Sequence, residues 1–252
     1  MSSLAIACVM FGCVLASTLA ASWIARRLPE HHISGDSRDV VKLGLGVIGT
    51  LTALVLGLLV SATKGTYDAQ SGTVKEVAAD LAALDRVMAR YGPETGDARA
   101  RLRVLAQAVH DQFWPRAGSP IEFTGGQSRE AGEGLFEAVA ALDPRTDAQR
   151  LLKTRAQDTL VGFVRVRQRL AVNSERSIPP PLLVVLGVWQ AVLFAGFGLL
   201  APRNATTFAF LVVCVLSVSG ALFLVLELDR PFDGMIRVPD TPLRSVISHL
   251  GE

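Results

Sequence analysis

Apolar residues in this chain fall into two different patterns. Four stretches are continuously apolar: Leu4 to Ile24, Leu43 to Ala62, Leu182 to Leu200 and Thr206 to Leu226, none of which contains a charged residue. Crossing a hydrocarbon core of about 30 Å at a rise of about 1.5 Å per residue takes about 20 residues, and each stretch is about that long. Backbone polar groups find no partner in lipid outside a helix or a closed barrel, so each stretch is expected to be a transmembrane helix. The first is not read as a cleaved signal. No Lys or Arg precedes it, and Arg26 and Arg27 follow it directly, the reverse of a charged leading region.

Between Thr63 and Pro180 the apolar positions become periodic and acidic and basic residues interleave. Val74, Val77, Leu81, Leu84, Met88 and Tyr91 alternate at spacings of three and four, the signature of a helical seam. The pattern recurs at Leu102, Leu105, Val109 and Phe113, at Leu135, Val139 and Leu142, and at Leu152, Ala156, Thr159, Phe163, Val166 and Leu170. Breakers separate these stretches at Gly92-Pro93, from Trp114-Pro115 through Gly125-Gly126, and at Asp143-Pro144. Helices with one apolar face each must bury it on one another, which predicts a four-helix bundle. No proline occurs from Leu43 to Arg90, so the second span is expected to run on into the bundle, with Gly65 and Gly72 as its weak points. Pro179-Pro180-Pro181 should end the last bundle helix and start the third span. After Glu227 the chain is rich in turns. Thr241 is then placed to N-cap a short amphipathic helix with Leu243, Val246, Ile247 and Leu250 on one face, resting on the bundle or on the membrane surface.

The expected fold is therefore all-α: transmembrane helices 1 and 2 in residues 1–62, a helical bundle in 63–180, transmembrane helices 3 and 4 in 181–226, and a tail in 227–252. Four spans put both termini and the bundle on one side. That side carries Lys64, Lys75, Arg165, Arg167, Arg169, Arg176, Arg230, Arg237 and Arg244 near the span ends, against Arg26, Arg27, Arg38, Lys42 and Arg203 on the other. Nine against five favours a cytoplasmic bundle, although the first span taken alone argues the reverse.

Composition agrees with a membrane protein: half of the 252 residues are hydrophobic and the mean hydropathy is +0.38. A net charge of +2 gives no reason to expect a nucleic-acid partner. Cys8, Cys13 and Cys214 all lie in apolar runs without a CxxC spacing, and read as small apolar fillers rather than as a metal or disulfide framework. No cofactor is implied. HExxH, GxSxG and phosphate-loop motifs are absent from the sequence, and no ionisable residue lies within a span, which argues against an enzyme and against a proton-coupled carrier.

Several motifs resemble those of the bacterial bestrophin-like membrane family. They are His31-His32-Ile33-Ser34-Gly35 through Lys42, Leu54 to Ala62 followed by Lys64 and Tyr67-Asp68, Leu84-Asp85-Arg86 with Tyr91-Gly92-Pro93, and Leu228-Asp229-Arg230-Pro231-Phe232 with Gly234 and Ile236-Arg237. The resemblance covers nearly the whole chain and implies four spans with cytoplasmic termini. True bestrophins are more distantly similar. They are pentameric anion channels lined by the second span, with an aromatic neck and an acidic calcium clasp. The second span here has no aromatic residue, and Glu227, Asp229 and Asp233 are the nearest approach to a clasp.

The most informative candidate surface is in the second span. Gly46, Thr50, Ala53, Gly57 and Ser61 make one narrow face of small residues, continued by Lys64 at the membrane edge. Small residues allow close helix contact within or between subunits. In a ring of subunits the same face lines a pore, with Lys64 as a ring of positive charge for inorganic anions. Arg165, Arg169 and Arg176 share roughly one helical face, suited either to anionic lipid headgroups or to pairing with nearby carboxylates. His31 and His32, near Asp36 and Asp39, have ligand-type side chains, but adjacent histidines seldom point the same way, and no metal site is expected. His110 beside Trp114 is expected on the bundle surface. Two functions follow: an oligomeric, channel-like protein lined by the second span, or a non-conducting scaffold or regulator whose bundle binds a partner.

Overall fold

A computed structural model describes residues 2–27, 35–115, 126–172, 178–202 and 204–251. The described residues form eight α-helices: α1 (Ser3–Ile24), α2 (Gly35–Tyr91), α3 (Gly96–Phe113), α4 (Gly126–Ala140), α5 (Asp147–Val172), α6 (Pro180–Leu200), α7 (Ala205–Leu228) and α8 (Thr241–His249). Four of them, α1, α2, α6 and α7, are long and apolar enough to cross a membrane. The second span runs on as expected: α2 is one continuous helix of 57 residues and passes through both Gly65 and Gly72. The chain separates into two compact units. One comprises residues 1–67 and 176–236, the other 68–175 and 237–252.

In the first unit α1 packs on α6 and α7. The crossing with α6 is close because Gly198 has no side chain; a Cβ there would press on the carbonyl oxygen of Thr18. At that range hydroxyl groups reach across. Ser17 Oγ donates to Ala191 O at 3.1 Å and Ser22 Oγ to Gly198 O at 3.0 Å, bonds that hold helices together where lipid gives no hydrophobic drive. Val14, Phe194 and Val215 form one apolar cluster, and Leu59, Ile178, Leu186 and Val225 another. Gln190 lies on α6 one turn from both Leu186 and Phe194. It is 1% exposed, and neither amide atom has a hydrogen-bond partner among the described residues. Past α7 the chain turns back at Gly234 (φ +124°), where Glu227, itself buried, accepts the N–H groups of Met235 at 2.6 Å and Ile236 at 3.4 Å. A side chain at Gly234 would meet Glu227 Oε2 at 2.6 Å, so both the backbone angle and the space call for glycine.

In the second unit the predicted seam is the core. Val74, Val77, Leu81, Leu84, Met88 and Tyr91 are all buried, as are Leu102, Leu105, Val109 and Phe113, Leu135 and Val139, and Ala156, Phe163 and Val166. Leu142 falls just beyond α4, and the side chain of Leu170 lies outside the described residues. The corner after α2 uses Gly92 at φ +136°, and the buried Thr95 hydroxyl sits 2.7 Å from Met88 O and 2.8 Å from Gly92 O. Asp85 and Arg99 join α2 to α3 through two parallel bonds of 2.8 and 3.1 Å. That hydrogen bond, more than simple charge attraction, pushes the Arg99 pKa up despite its partial burial. Lys153 Nζ donates to Ala140 O and Leu142 O at the end of α4, both at 2.7 Å.

One local expectation needs correction. Asp240, not Thr241, occupies the cap position of α8, and Thr241 is the first helical residue. The Asp240 carboxylate makes no cap bond because it is held by Arg244 at 2.6 Å and His110 Nε2 at 3.2 Å. The break after Trp114 ends where the glycines put it, with α4 starting at Gly126. Ser128 is buried in the first turn of α4, where its hydroxyl donates to Gln112 Oε1 at 2.7 Å and accepts from Arg167 at 3.0 Å.

Candidate functional site

The membrane part of α2 has two faces with different surroundings. Leu45, Thr52, Leu59 and Thr63 are buried, with Gly49 and Leu56 half-buried between them, at alternating spacings of four and three. Leu45 lies against Gly196, Gly49 against Leu193, and Leu59 in the cluster with Leu186 and Val225, so this stripe is the one that seats α2 on α6 and α7. At 100° per residue, Gly46, Thr50, Ala53, Gly57, Ser61 and Lys64 fall about a third of a turn away. All six are exposed. Among the described residues, no heavy atom beyond the helix's own local backbone lies within 4 Å of where a Cβ would sit at Gly46 or Gly57. Close packing among the described residues therefore does not account for these positions. Beyond it lie Leu43, Val47, Leu54 and Leu58, large apolar side chains that are also exposed.

The small-residue surface is also chemically plain. The Thr50 hydroxyl donates to Gly46 O at 2.9 Å, which leaves an oxygen lone pair outward and no charge until Lys64. It can therefore present weak dipoles and bare backbone to whatever faces it. It offers no group for acid–base chemistry.

Of the three arginines on one expected face, Arg165 and Arg169 are exposed on α5 and make no ion pair among the described residues; Arg176 lies outside them. Arg167, between these two, turns the other way. It is half-buried against Ser128, beside a cleft of about 560 Å³. Burial, and secondarily the neighbouring Arg129, push its pKa down, partly offset by Glu133. The pair His31 and His32 lies outside the described residues, and Asp39 is engaged by Lys42 at 2.9 Å. Among the described residues no group of His, Cys, Asp or Glu is arranged to hold a metal ion.

One cluster has a larger role than its residues' spacing indicates. The His110 ring lies between Asp111 (Nδ1, 3.1 Å) and Asp240 (Nε2, 3.2 Å) and stacks on Trp114 at 5.6 Å. The Trp114 indole N–H donates to Val238 O at 3.0 Å. Together they fasten the segment leading into α8 to α3, and Leu243 of α8 and Leu250 just past its end are buried. His110 and Asp240 are 130 positions apart.

Four helices long and apolar enough to cross a membrane, one of them presenting an exposed small-residue stripe, define an integral membrane protein. The chain belongs to the bestrophin-like family, whose domain pattern matches residues 12–243. It is similar in fold to a crystal structure of a mutant bacterial bestrophin homolog from Klebsiella pneumoniae. The TM-score is 0.70 at 16% identity, over 99% of this chain and 97% of that one. A second crystal structure of the Klebsiella homolog gives a TM-score of 0.67 at 17% identity, over 94% and 96%. No curated protein matches the chain.

Proposed function

We propose that the protein is an oligomeric, bestrophin-like ion channel, with α2 lining the pore through Gly46, Thr50, Ala53, Gly57 and Ser61 and with Lys64 forming a ring of charge at its mouth. One observation carries this reading: the small-residue stripe is uncovered, while a different stripe of the same helix does the packing. A ring of subunits gives both exposed faces of α2 a purpose. Leu54 and Leu58 would meet a neighbouring subunit, and the small residues would leave room for ions along the axis. Membership of the family supports the same assignment. In this reading residues 63–180 are a cytoplasmic domain, both termini are cytoplasmic, and Arg165, Arg169 and Arg176 face anionic headgroups of an inner membrane. The absence of carboxylate partners for Arg165 and Arg169 among the described residues favours that use over a surface ion-pair network.

Recording from purified protein in planar bilayers tests the proposal. An anion entering a low-dielectric passage gains from each positive charge beside it. Lys64→Glu should therefore move the reversal potential in a salt gradient toward cations. A wild-type protein silent under every voltage, tension and calcium level, or a Lys64→Glu channel with unchanged selectivity, would remove the basis for this reading. The alternative is a non-conducting scaffold whose helical domain binds a partner. It has in its favour a cleft of about 650 Å³ bordered by His110, Trp114, Asp240 and Arg244.

A further inference from the structure

We infer that the end of the four-span unit where α1 and α6 finish and α7 begins holds an anionic phospholipid, with its phosphate at Arg26 and Asn204 and an acyl chain along Leu19, Phe208 and Leu211. A cleft of about 590 Å³ opens there, lined by these five residues and by Trp23. Its walls combine two chemistries. Leu19, Phe208 and Leu211 belong to spans, and Phe208 is left 48% exposed, so one side of the cleft continues the surface that meets hydrocarbon. The rim is polar and positive. Arg26 makes no ion pair among the described residues. The Asn204 side-chain oxygen accepts the Thr207 N–H at 2.8 Å to cap α7, and its amide N–H groups make no hydrogen bond among the described residues. Trp23, 52% exposed, lies at the boundary between the two, the level at which tryptophan anchors a span in the headgroup region. The Arg27 guanidinium stacks 4.0 Å over the Trp23 ring, adding a second positive charge beside Arg26.

A molecule that satisfies both walls must carry an anion and an apolar chain on one backbone, which a glycerophospholipid does. A free anion would engage only an exposed rim, where water screens the attraction. Two guanidinium groups without a carboxylate partner among the described residues select a headgroup with net negative charge over a zwitterionic one. A basic residue near such a surface contributes about a fivefold preference.

Native mass spectrometry of the protein in detergent, titrated with phosphatidylglycerol and separately with phosphatidylcholine, tests the site. Wild type should retain phosphatidylglycerol in preference. Arg26→Ala, an exposed substitution that leaves the packing alone, should reduce that preference about fivefold. Arg26→Lys should keep most of it. Equal retention of the two lipids by wild type, or an unchanged preference in Arg26→Ala, would overturn the assignment. Displacement of phosphatidylglycerol by the deacylated headgroup, glycerophosphoglycerol, at comparable concentration would mean that the rim binds free anions and the apolar wall plays no part. That too would overturn it.

Discussion

Replacing Gly57 by leucine separates the two uses of the α2 stripe, because the structure fixes what the change does to a single chain. Among the described residues, no heavy atom beyond the helix's own local backbone lies within 4 Å of the position a Cβ would take, and the position is exposed, so a leucine should meet no clash inside the subunit. Removing a glycine from the interior of a long helix gains about 0.5–1 kcal/mol of helix propensity. The folded subunit should thus be unchanged or slightly more stable. Gly198→Ala provides the contrast. Its Cβ would be driven against the Thr18 backbone at the α1–α6 crossing, and overpacking of that kind costs about 1–3 kcal/mol. Thermal unfolding in detergent should therefore rank Gly57→Leu at or above wild type and Gly198→Ala below it. With the subunit fold accounted for, the oligomer can be read cleanly by size-exclusion chromatography with light scattering, and conduction by planar bilayer recording. A pore-lining Gly57 predicts an intact oligomer and a severalfold smaller unit conductance. An oligomer that falls apart in Gly57→Leu would make the stripe an interface between subunits and refute the lumen. An intact oligomer with unaltered conductance would refute it equally.

Three further outcomes are expected. Asp85→Asn should destabilise the helical domain by about 1.5–3 kcal/mol, since it breaks a two-pronged bond between side chains only 13% and 20% exposed; a double-mutant cycle with Arg99→Ala in chemical denaturation measures the coupling. The Asp80 pKa is raised, mainly by lost hydration and secondarily by Glu76, so the folded state binds its proton more tightly than the unfolded one and ionised Asp80 opposes folding. Asp80→Asn should then raise the melting temperature at neutral pH, with the advantage fading as pH falls through the raised value; an advantage independent of pH would exclude this cause. Glu130→Cys, at an exposed position of α4 in a chain whose native cysteines have been replaced, should resist a membrane-impermeant thiol reagent in intact cells and react after lysis, whereas labelling of intact cells would invert the proposed topology.

What could be read from the sequence was whatever repeats along one helix. The seam from Val74 to Tyr91 is periodic because each of its side chains faces the same core, and every one is buried. The uncharged runs mark spans for the same reason: a single physical demand acts on twenty successive residues. Polar partnerships carry no such repeat. Asp85 and Arg99 are 14 positions apart, and His110 and Asp240 are 130 apart, and nothing local in either segment indicates its partner. Arg167 lies two positions from both Arg165 and Arg169, about 200° of turn on a helix, enough to bring it into contact with Ser128, and nothing in its own segment indicates that partner. Gln190 was hidden differently. One amide among apolar neighbours barely lowers the hydropathy of a span, and only packing shows that it is buried without a partner. The stripe on α2 was visible as a pattern, but whether the chain covered it with its own atoms depended on which side of α2 meets α6.

The fastening of residues 237–252 to α3 also bears on the order in which the protein is made. The helical unit draws on residues 68–175 and 237–252, and both later spans are synthesised between them. On the ribosome, α3 to α5 emerge early, with Trp114 lacking its acceptor at Val238, His110 lacking Asp240, and the surface that will receive Leu243 and Leu250 still bare. That unit cannot close until α6 and α7 have been synthesised. A nascent chain stalled before the last segment would therefore carry an open apolar seat on α3.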